Sequence, residues 1–379
     1  MKNNSKPQTL LFHNGDFQKQ HPIKFCDALN MTFSDITDIF YSYNSNVRCN
    51  LGIYLMTDSL FRNIDAKCIY GDHNFSKDFN ADSVVTIMLH AISSFFDIGF
   101  LPYWKKVLKY PIKIVPMSVS FIYNGKNGDL PQPLSRDIIY LLSAIAERNE
   151  IGVRGEYDAD ILEKYGITNV RIIGCPSLYY HMDRNFQVEN TRELKSTNFN
   201  FSTDFANLNI PRKNFLDIYM KLFWYALNIF SEKKIDIDLT LQKSPPREIM
   251  DLLPFANYNV FKDFFTNKGR LFFSVKDWIA AIKQNDFCFG TRFHGNVAGV
   301  LAGIPTLMIN IDGRMKQLNR YYKIPSIDIE NFDPNKPIEY YKELCDYSEF
   351  NKNYAKTYDN FIDYCKKNDV ALKAEVTNE

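Results

Sequence analysis

Short apolar runs alternate with helical patterns along most of this 379-residue chain, and this alternation constrains the fold more than any other feature. Runs rich in β-branched and aromatic residues predict strands at residues 36–43, 67–70, 83–89, 112–121, 151–154, 170–173, 235–241, 270–275, 287–289 and 306–311. Helical spacing of apolar residues predicts helices at residues 136–147, 158–165, 215–230, 277–284 and 297–302. Such alternation is typical of parallel sheets covered by helices. Because the chain is too long for one ordinary core, we predict an α/β fold with two doubly wound Rossmann-like domains facing a central cleft.

Changes in composition divide the chain into five segments. Residues 1–35 are polar and weakly patterned, and we predict an N-terminal extension there. Residues 186–204 are polar and irregular, which predicts a linker. The two Rossmann-like domains then cover residues 36–185 and 205–330. Aromatic residues at helical spacing predict a helical segment over residues 331–379, which by analogy is expected to brace the two domains.

Bulk properties exclude several classes of function. The net charge of +1 and the mixing of acidic and basic residues argue against a nucleic-acid partner. No His, Cys, Asp and Glu residues have metal-ligand spacing, and the sequence contains no Walker loop and no Gly-x-Ser-x-Gly motif. The seven cysteines are scattered without a Cys-x-x-Cys pair, which indicates buried thiols in a reducing compartment. With no signal peptide and no apolar run of membrane-spanning length, we expect a cytoplasmic protein.

The segment Gly-Thr-Arg-Phe-His-Gly at residues 290–295 is the strongest candidate for chemistry. It follows a predicted strand and precedes a helix of small residues, so Gly290, Gly295 and Asn296 lie where free backbone N–H groups favour an anion. In extended backbone Arg292 and His294 would point to the same side. A permanently charged group beside one that carries a proton at neutral pH suits an anionic substrate. The alternative is a structural arginine and a buried, hydrogen-bonded histidine.

Arg154 occupies a similar position in the N-terminal half. It follows the predicted strand at residues 151–154 and precedes a helix that carries Glu156 and Asp158 in its first turns. An arginine at a strand end facing a cleft can bind a phosphate or carboxylate through two hydrogen bonds. A salt bridge to Glu156 or Asp158 is the alternative.

Two further positions are candidates for substrate binding. Asn50 and Gly52 precede a helix after the first predicted strand, where the ligand of a doubly wound domain often binds and where glycine allows close backbone approach. Lys316 or Arg314, after the strand predicted at residues 306–311, could contact an anion. The alternative for both cations is a solvated turn.

These residues resemble the polysaccharide pyruvyl transferase family. The resemblance covers roughly residues 36–325, and its specific part is Arg292-Phe-His-Gly295 followed by Ala298, Gly303 and Pro305. Supporting positions are Arg154 in Gly-Val-Arg, Tyr165-Gly166, Gly174-Cys-Pro176 and Asn50-Leu-Gly52. The resemblance implies a two-domain fold like that of the GT-B glycosyltransferases. It also implies transfer of pyruvate from phosphoenolpyruvate onto two hydroxyls of a sugar, giving a cyclic ketal and phosphate without a metal or other cofactor.

That reaction suits the candidate residues. The donor carries a carboxylate and a phosphate, for which Arg292, Arg154 and Lys316 are candidate cationic contacts. His294 fits as the general acid or base. A glycan acceptor built on a lipid carrier would imply peripheral contact with the inner face of the membrane, although no basic amphipathic helix argues for it.

The chain departs from the family pattern in its N-terminal half, where the resemblance places the acceptor. Cys175 stands where the family usually has an aspartate, and Leu89-His90-Ala91 replaces a common glycine doublet. Two rival functions stay open. One is a GT-B glycosyltransferase that uses a sugar nucleotide, although no Glu-x7-Glu signature is present. The other is a catalytically inactive member of a surface-polysaccharide pathway.

Overall fold

The structure, a computed structural model, describes residues 8–12, 51–69, 81–87, 92, 101–123, 128–190, 193–200, 228–231, 269–272 and 275–373. These residues form two sets of parallel strands with helices packed against them, which confirms the predicted α/β class. The predicted strands at residues 36–43 and 235–241, and the positions Asn50 and His90, lie outside the described residues.

The N-terminal half contains a four-stranded parallel sheet of order β2-β1-β3-β4 and a parallel pair, β5-β6. A parallel bridge between Val119 and Val153 connects the pair to the loop that follows β4. The strands are β1 Thr9–Phe12, β2 Ala66–Ile69, β3 Ser83–Thr86, β4 Lys113–Pro116, β5 Ile151–Val153 and β6 Val170–Ile172. The helices are α1 Leu51–Asn63, α2 Leu101–Val107, α3 Arg136–Ala146 and α4 Glu156–Lys164, and a 3-10 helix, Pro176–Tyr179, follows β6.

Strand β1 corrects the prediction that residues 1–35 are an extension outside the domain. It lies between β2 and β3, and Thr9, Leu10 and Leu11 are buried. A run of four residues among polar neighbours carries little local signal. Its strand conformation is stabilised by pairing with β2 and β3, which are distant in sequence.

The C-terminal half is built on a six-stranded parallel sheet of order β12-β11-β10-β7-β8-β9. The strands are β7 Thr197–Asn200, β8 Asn228–Ser231, β9 Gly269–Leu271, β10 Phe287–Gly290, β11 Thr306–Asn310 and β12 Ser326–Asp328. The helices are α5 Val275–Ile282, α6 Phe293–Leu301 and α7 Gly313–Tyr322, and a short 3-10 helix, Ile329–Asn331, follows β12.

Two predictions in this half are wrong. The linker predicted at 186–204 includes β7, which is buried and pairs with β8 and β10. The helix predicted at 215–230 ends in residues that instead form β8, because parallel pairing with β7 and β9 overrides the local pattern. The solvated turn, the alternative stated for Arg314 and Lys316, is not what the structure contains, because both residues lie in the first turn of α7, which begins at Gly313 after the N-cap Asp312.

The strand order of the C-terminal sheet is that of a Rossmann domain. Reading outward from the middle, β7, β8 and β9 extend to one side and β10, β11 and β12 to the other. The order therefore reverses between β7 and β10, whose last residues, Asn200 and Gly290, are paired. Ligands of such sheets bind beyond the carboxyl ends of the strands at this point of reversal. The predicted site at residues 290–295 lies there.

Two helices end the described chain, α8 Ile338–Glu343 and α9 Ser348–Lys367. Tyr364 on α9 accepts a hydrogen bond from Gly152 N at 2.9 Å and donates one to Pro116 O at 2.9 Å, both in the N-terminal half. Tyr347, just before α9, donates to Thr306 O of β11 at 2.7 Å. Helix α9 and the residue before it thus contact both halves. None of the helices in the described ranges is at once long enough and apolar enough to cross a bilayer.

Candidate active site

The turn at residues 290–295 connects β10 to α6. Gly290 has a φ of +153°, a value that favours glycine, and Arg292 is the N-cap of α6 in extended conformation. Because α6 begins at Phe293, His294 lies in its first turn rather than in an extended segment. The expectation that Arg292 and His294 share one side of an extended backbone is therefore wrong, although both remain at the helix N-terminus.

An asparagine pair fixes this turn. Asn296, fully buried, donates to Gly290 O at 2.7 Å and accepts from Asn200 Nδ2 at 2.7 Å. A Cβ on Gly290 would lie 2.7 Å from Asn200 O, and one on Gly295 would lie 2.7 Å from Asn200 Cγ. The two glycines therefore allow Asn200 to pack into the turn, a structural role that the sequence did not predict for them or for Asn296.

Arg154 follows β5 in the N-terminal half and is buried, with 5% of its surface exposed. Its Nε donates to Ser118 Oγ at 2.9 Å, and its Nη2 lies 3.6 Å from Met56 Sδ. Ser118 has a φ of +68°, which is rare for a residue other than glycine and costs on the order of 1–2 kcal/mol. Ser118, which orients the guanidinium of Arg154, is thus held in a strained backbone conformation.

The alternative of a salt bridge from Arg154 is not what the structure contains. Within the described ranges, neither Glu156 nor Asp158 forms an ion pair with Arg154, and Glu156 pairs instead with Arg320. Burial lowers the pKa of Arg154, and the positive charge of Arg314 acts in the same direction, against Cys175, Asp158 and Asp312. The charged guanidinium is therefore disfavoured by its surroundings, and a bound anion would offset part of that cost.

One contact joins the two halves at the site. Cys175 follows β6, and its Sγ lies 3.6 Å from His294 Nε2 in α6. Ser177 donates to the same sulfur at 3.0 Å. Burial lowers the pKa of Arg154 and Cys175 acts to raise it, which shows that the residues after β5 and β6 lie near each other. The contact of the Cys175 sulfur with His294 brings them to the start of α6. A cation, a thiol and an imidazole thus lie between the carboxyl ends of strands from both halves.

Comparison with known families gives the same assignment as the motif at residues 290–295. The family model described as polysaccharide pyruvyl transferase matches residues 30–313, well over half of the chain. The chain belongs to the polysaccharide pyruvyl transferase family. It is accordingly a transferase of polysaccharide biosynthesis. No curated protein matches it in sequence.

Solved structures resemble this family member only distantly. The UDP-GlcNAc 2-epimerase of Neisseria meningitidis bound to UDP-GlcNAc has a TM-score of 0.40 at 10% identity, over 94% of this chain and 99% of that one. The MnaA–UDP structure from S. aureus has a TM-score of 0.42 at 10% identity, over 94% and 96%. The wall teichoic acid polymerase TagF has a TM-score of 0.33 at 12% identity, over 97% and 86%.

The remaining predicted residues lie in other elements around the contact between Cys175 and His294. Gly52 is buried in the first turn of α1, a helix that packs against α6 and against the 3-10 helix after β6. Lys316 on α7 forms an ion pair with Asp328 of β12 at 3.0 Å. Arg314 donates a hydrogen bond to Asp312, and its positive charge lowers the pKa of Arg154. Among the described residues, no three His, Cys, Asp or Glu side chains are grouped so as to hold a metal ion.

Sequence reasoning missed the residues of α7 that hold the N-terminal side of the site. Gln317 Nε2 donates to Asp158 Oδ2 at 2.7 Å, and Gln317 Oε1 accepts from Tyr157 N at 3.0 Å. Asp158 also accepts from Phe121 N at 3.0 Å and from the hydroxyl of Tyr123. Burial raises the pKa of Asp158 from 3.8 to about 7 against these hydrogen bonds. No local signal pairs residues about 160 positions apart.

Proposed function

We propose that this protein transfers a pyruvyl group from phosphoenolpyruvate onto two hydroxyls of one sugar in a surface polysaccharide or its lipid-linked precursor. The products are a cyclic ketal and inorganic phosphate. The observation that carries the proposal is the meeting of Arg154 and Cys175, after β5 and β6, with His294 at the start of α6. A donor with two anionic groups needs a cation beside the group that moves the proton. Arg154 supplies a cation there, and His294 supplies a proton-carrying group.

Arg154 is the proposed donor contact in the N-terminal half. Its Nε is engaged by Ser118, whereas no described residue accepts a hydrogen bond from its Nη1. That nitrogen can donate to a phosphate or carboxylate oxygen. Because the guanidinium is buried and lies in reach of the charge of Arg314, an anion there gains more than it would at an exposed arginine.

The start of α6 is the proposed contact in the C-terminal half. Arg292 occupies the N-cap position of this helix and is 8% exposed, and backbone N–H groups of the first turn carry a partial positive charge. The helix follows β10, beside the point where the strand order reverses. The leaving phosphate gains charge as its bond to carbon breaks, and these groups would stabilise that charge.

The balance of protons in this reaction requires a group that carries protons, and we propose His294 for it. The first sugar hydroxyl forms a bond to C2 of phosphoenolpyruvate while the methylene C3 gains a proton and becomes a methyl group. The C2–O bond to phosphate then breaks, and the second hydroxyl of the same sugar adds to C2. Two hydroxyl protons are released, one is consumed at C3 and the other leaves with the products. His294 is the proposed carrier of these protons, a step typically worth about 10²–10⁴ in rate.

The acceptor proposed is a glycan, free or attached to a lipid carrier at the inner face of the membrane. The reaction as written balances without a cofactor, and we propose none. Gly52 in α1 and Asn50, which lies outside the described residues, remain proposed substrate contacts, and Lys316 is a proposed contact on α7.

Phosphate release from phosphoenolpyruvate, measured with a panel of free and lipid-linked hexosides, tests this function. We expect release only in the presence of a suitable glycoside, with the ketal methyl group visible by NMR. His294→Asn, which keeps a polar group of similar length, should lower the rate by at least about 10²-fold. No release with any glycoside, together with a thermal shift by UDP- or GDP-sugars but none by phosphoenolpyruvate, would instead support a sugar-nucleotide glycosyltransferase.

A further inference from the structure

The backbone of Cys175 is held by hydrogen bonds to Tyr322 of α7. Its backbone N donates to Tyr322 Oη at 2.8 Å, and the same hydroxyl lies 3.0 Å from Cys175 O. Gly174, just before it, has a φ of +73°, and a Cβ there would overlap the Tyr322 hydroxyl. Helix α7 therefore fixes the peptide that carries the thiol.

The thiol is fixed as well. Cys175 is completely buried, and Ser177 Oγ donates to its sulfur at 3.0 Å. The remaining neighbour is His294 Nε2 at 3.6 Å, within the reach of a hydrogen bond to sulfur. The sulfur thus lies between a hydroxyl in its own half and an imidazole in the other half.

The hydrogen-bond inventory decides the direction of this contact. A thiol has one donor, and the sulfur already accepts from Ser177. If Nε2 also donated to the sulfur, the thiol proton would need another acceptor. If the thiol donates to Nε2, its proton has an acceptor and the sulfur keeps the hydrogen bond from Ser177. A neutral imidazole that accepts at Nε2 carries its own proton on Nδ1.

We propose that Cys175 is a positioning residue for His294, whose thiol donates to Nε2, orients the ring across the two halves and keeps its proton on Nδ1. In the pyruvyl transfer proposed above, on which this role depends for its catalytic meaning, Nδ1 gives its proton to C3 of phosphoenolpyruvate while Nε2 takes up the thiol proton. Nδ1 then accepts the proton of a sugar hydroxyl as Nε2 returns its proton to the sulfur. Arg154 and Tyr322 also lie near Cys175: burial lowers the pKa of Arg154 while Cys175 acts to raise it, and burial raises the pKa of the Tyr322 hydroxyl well above its usual value.

The tautomer of His294 can be measured without substrate. Two-bond ¹H–¹⁵N spectra of the full-length protein labelled in its six histidines distinguish Nδ1–H from Nε2–H, and His294→Asn identifies the signal. His181 supplies an internal standard of the opposite form, because its Nε2 lies 2.7 Å from Leu301 O and a carbonyl only accepts. We expect His294 as Nδ1–H at neutral pH. Nε2–H alone, or protons on both nitrogens, would overturn the proposal.

Variants separate this role from simple packing. Cys175→Ser keeps a donor and should retain Nδ1–H, whereas Cys175→Ala should give a mixture of tautomers. Cys365→Ser alters another fully buried cysteine, one on α9, and should leave the His294 signal unchanged. If Cys175→Ala has the spectrum of the parent, Cys175 only fills space.

A pH–rate profile adds the link to catalysis. Cys175→Asp places a carboxylate beside Nε2 and should shift the limb due to His294 upward by about one pH unit or more. An unchanged limb in an active Cys175→Asp variant would overturn the positioning role. Because the NMR test needs no activity, a failed transferase assay and a failed positioning role give different results.

Discussion

The two sides of the site are held in different ways. On the C-terminal side, the turn between β10 and α6 is fixed from within its own sheet, by Asn200 of β7 and Asn296 of α6. On the N-terminal side, the residues after β5 and β6 are fixed from outside, by Gln317 and Tyr322 of α7 in the other half. The positions of Cys175 and of the residues just after Arg154 therefore depend on packing between the halves, whereas the turn before α6 is fixed by residues of its own half.

Helix α7 is the element that makes this difference. Gly155 and Gly174 both approach its side chains, since a Cβ on Gly155 would lie 2.6 Å from Gln317 Oε1 and one on Gly174 would overlap Tyr322. The loops that carry Gly155 and Gly174 thus have room for the side chains of α7 because these two residues have no Cβ. A change at this contact should affect the cation and the thiol together.

The largest effect is expected from Gly174→Ala. The variant combines a left-handed backbone, φ +73°, with overlap against Tyr322, and should lower the free energy of unfolding by about 2–5 kcal/mol. Gly166→Ala is the matched control, because Gly166 has a φ of +78° but nothing lies within 4 Å of its added Cβ. Only the backbone cost of about 1–2 kcal/mol is expected there. Equal losses in urea unfolding would show that Tyr322 does not constrain the loop.

The pH dependence of stability tests the burial of Asp158, the carboxyl that Gln317 contacts. The folded-state pKa of Asp158 is raised from 3.8 to about 7, so the folded protein binds the extra proton between these values. The contribution of Asp158 is therefore fully present below about pH 4 and is lost as the pH rises through about 7, a change of about 4 kcal/mol. Asp158→Asn should remove this slope, apart from an offset that does not vary with pH. Parallel curves for the parent and the variant would contradict the account.

On the C-terminal side, Gly295→Ala tests whether Asn200 fills the turn. Alanine improves helix propensity by about 1 kcal/mol, yet its Cβ would lie 2.7 Å from Asn200 Cγ. We expect a net loss of about 1–3 kcal/mol in the free energy of unfolding. In an Asn200→Gly background the same change should become neutral or stabilising. If the loss persists there, the turn is constrained by something other than Asn200.

The smallest effect is expected from Lys316→Ala. Its ion pair with Asp328 is partly exposed, with 27% and 25% of the side chains accessible, so the free energy of unfolding should change by less than about 1 kcal/mol. Lys352→Ala removes a more exposed pair with Glu349 and is the control. The proposed substrate contact is read from the KM for phosphoenolpyruvate. A KM that rises in Lys316→Ala but not in Lys352→Ala supports that contact. An unchanged KM would mean that Lys316 serves only the ion pair with Asp328.

Local signals made the C-terminal side of the site predictable. The apolar run of β10, the glycines at residues 290 and 295 and the small residues of α6 are contiguous in sequence, and they predicted a strand, a turn and a helix there. Only the start of α6 was placed too late, because the sequence gives Arg292 no capping side chain that would mark the boundary. Arg154 was found for the same reason, between β5 and α4.

The rest depends on contacts between distant residues. Strands β1 and β8 are four residues each and are specified by their parallel partners rather than by their own pattern. The thiol of Cys175 meets His294 from 119 positions away, and Tyr322 reaches Cys175 from 147. The sequence marked Cys175 only as a departure from the family pattern, and it contained no sign that the sulfur contacts the imidazole.

The fate of C3 of phosphoenolpyruvate tests the central claim most directly. With [3-¹³C]phosphoenolpyruvate and an active glycoside in D₂O, the account predicts a ketal methyl group carrying one deuterium, formed at least about 10²-fold more slowly by His294→Asn. A product that retains the methylene group would contradict ketal formation. A deuterated ketal formed equally fast by the variant would show that His294 does not move the proton.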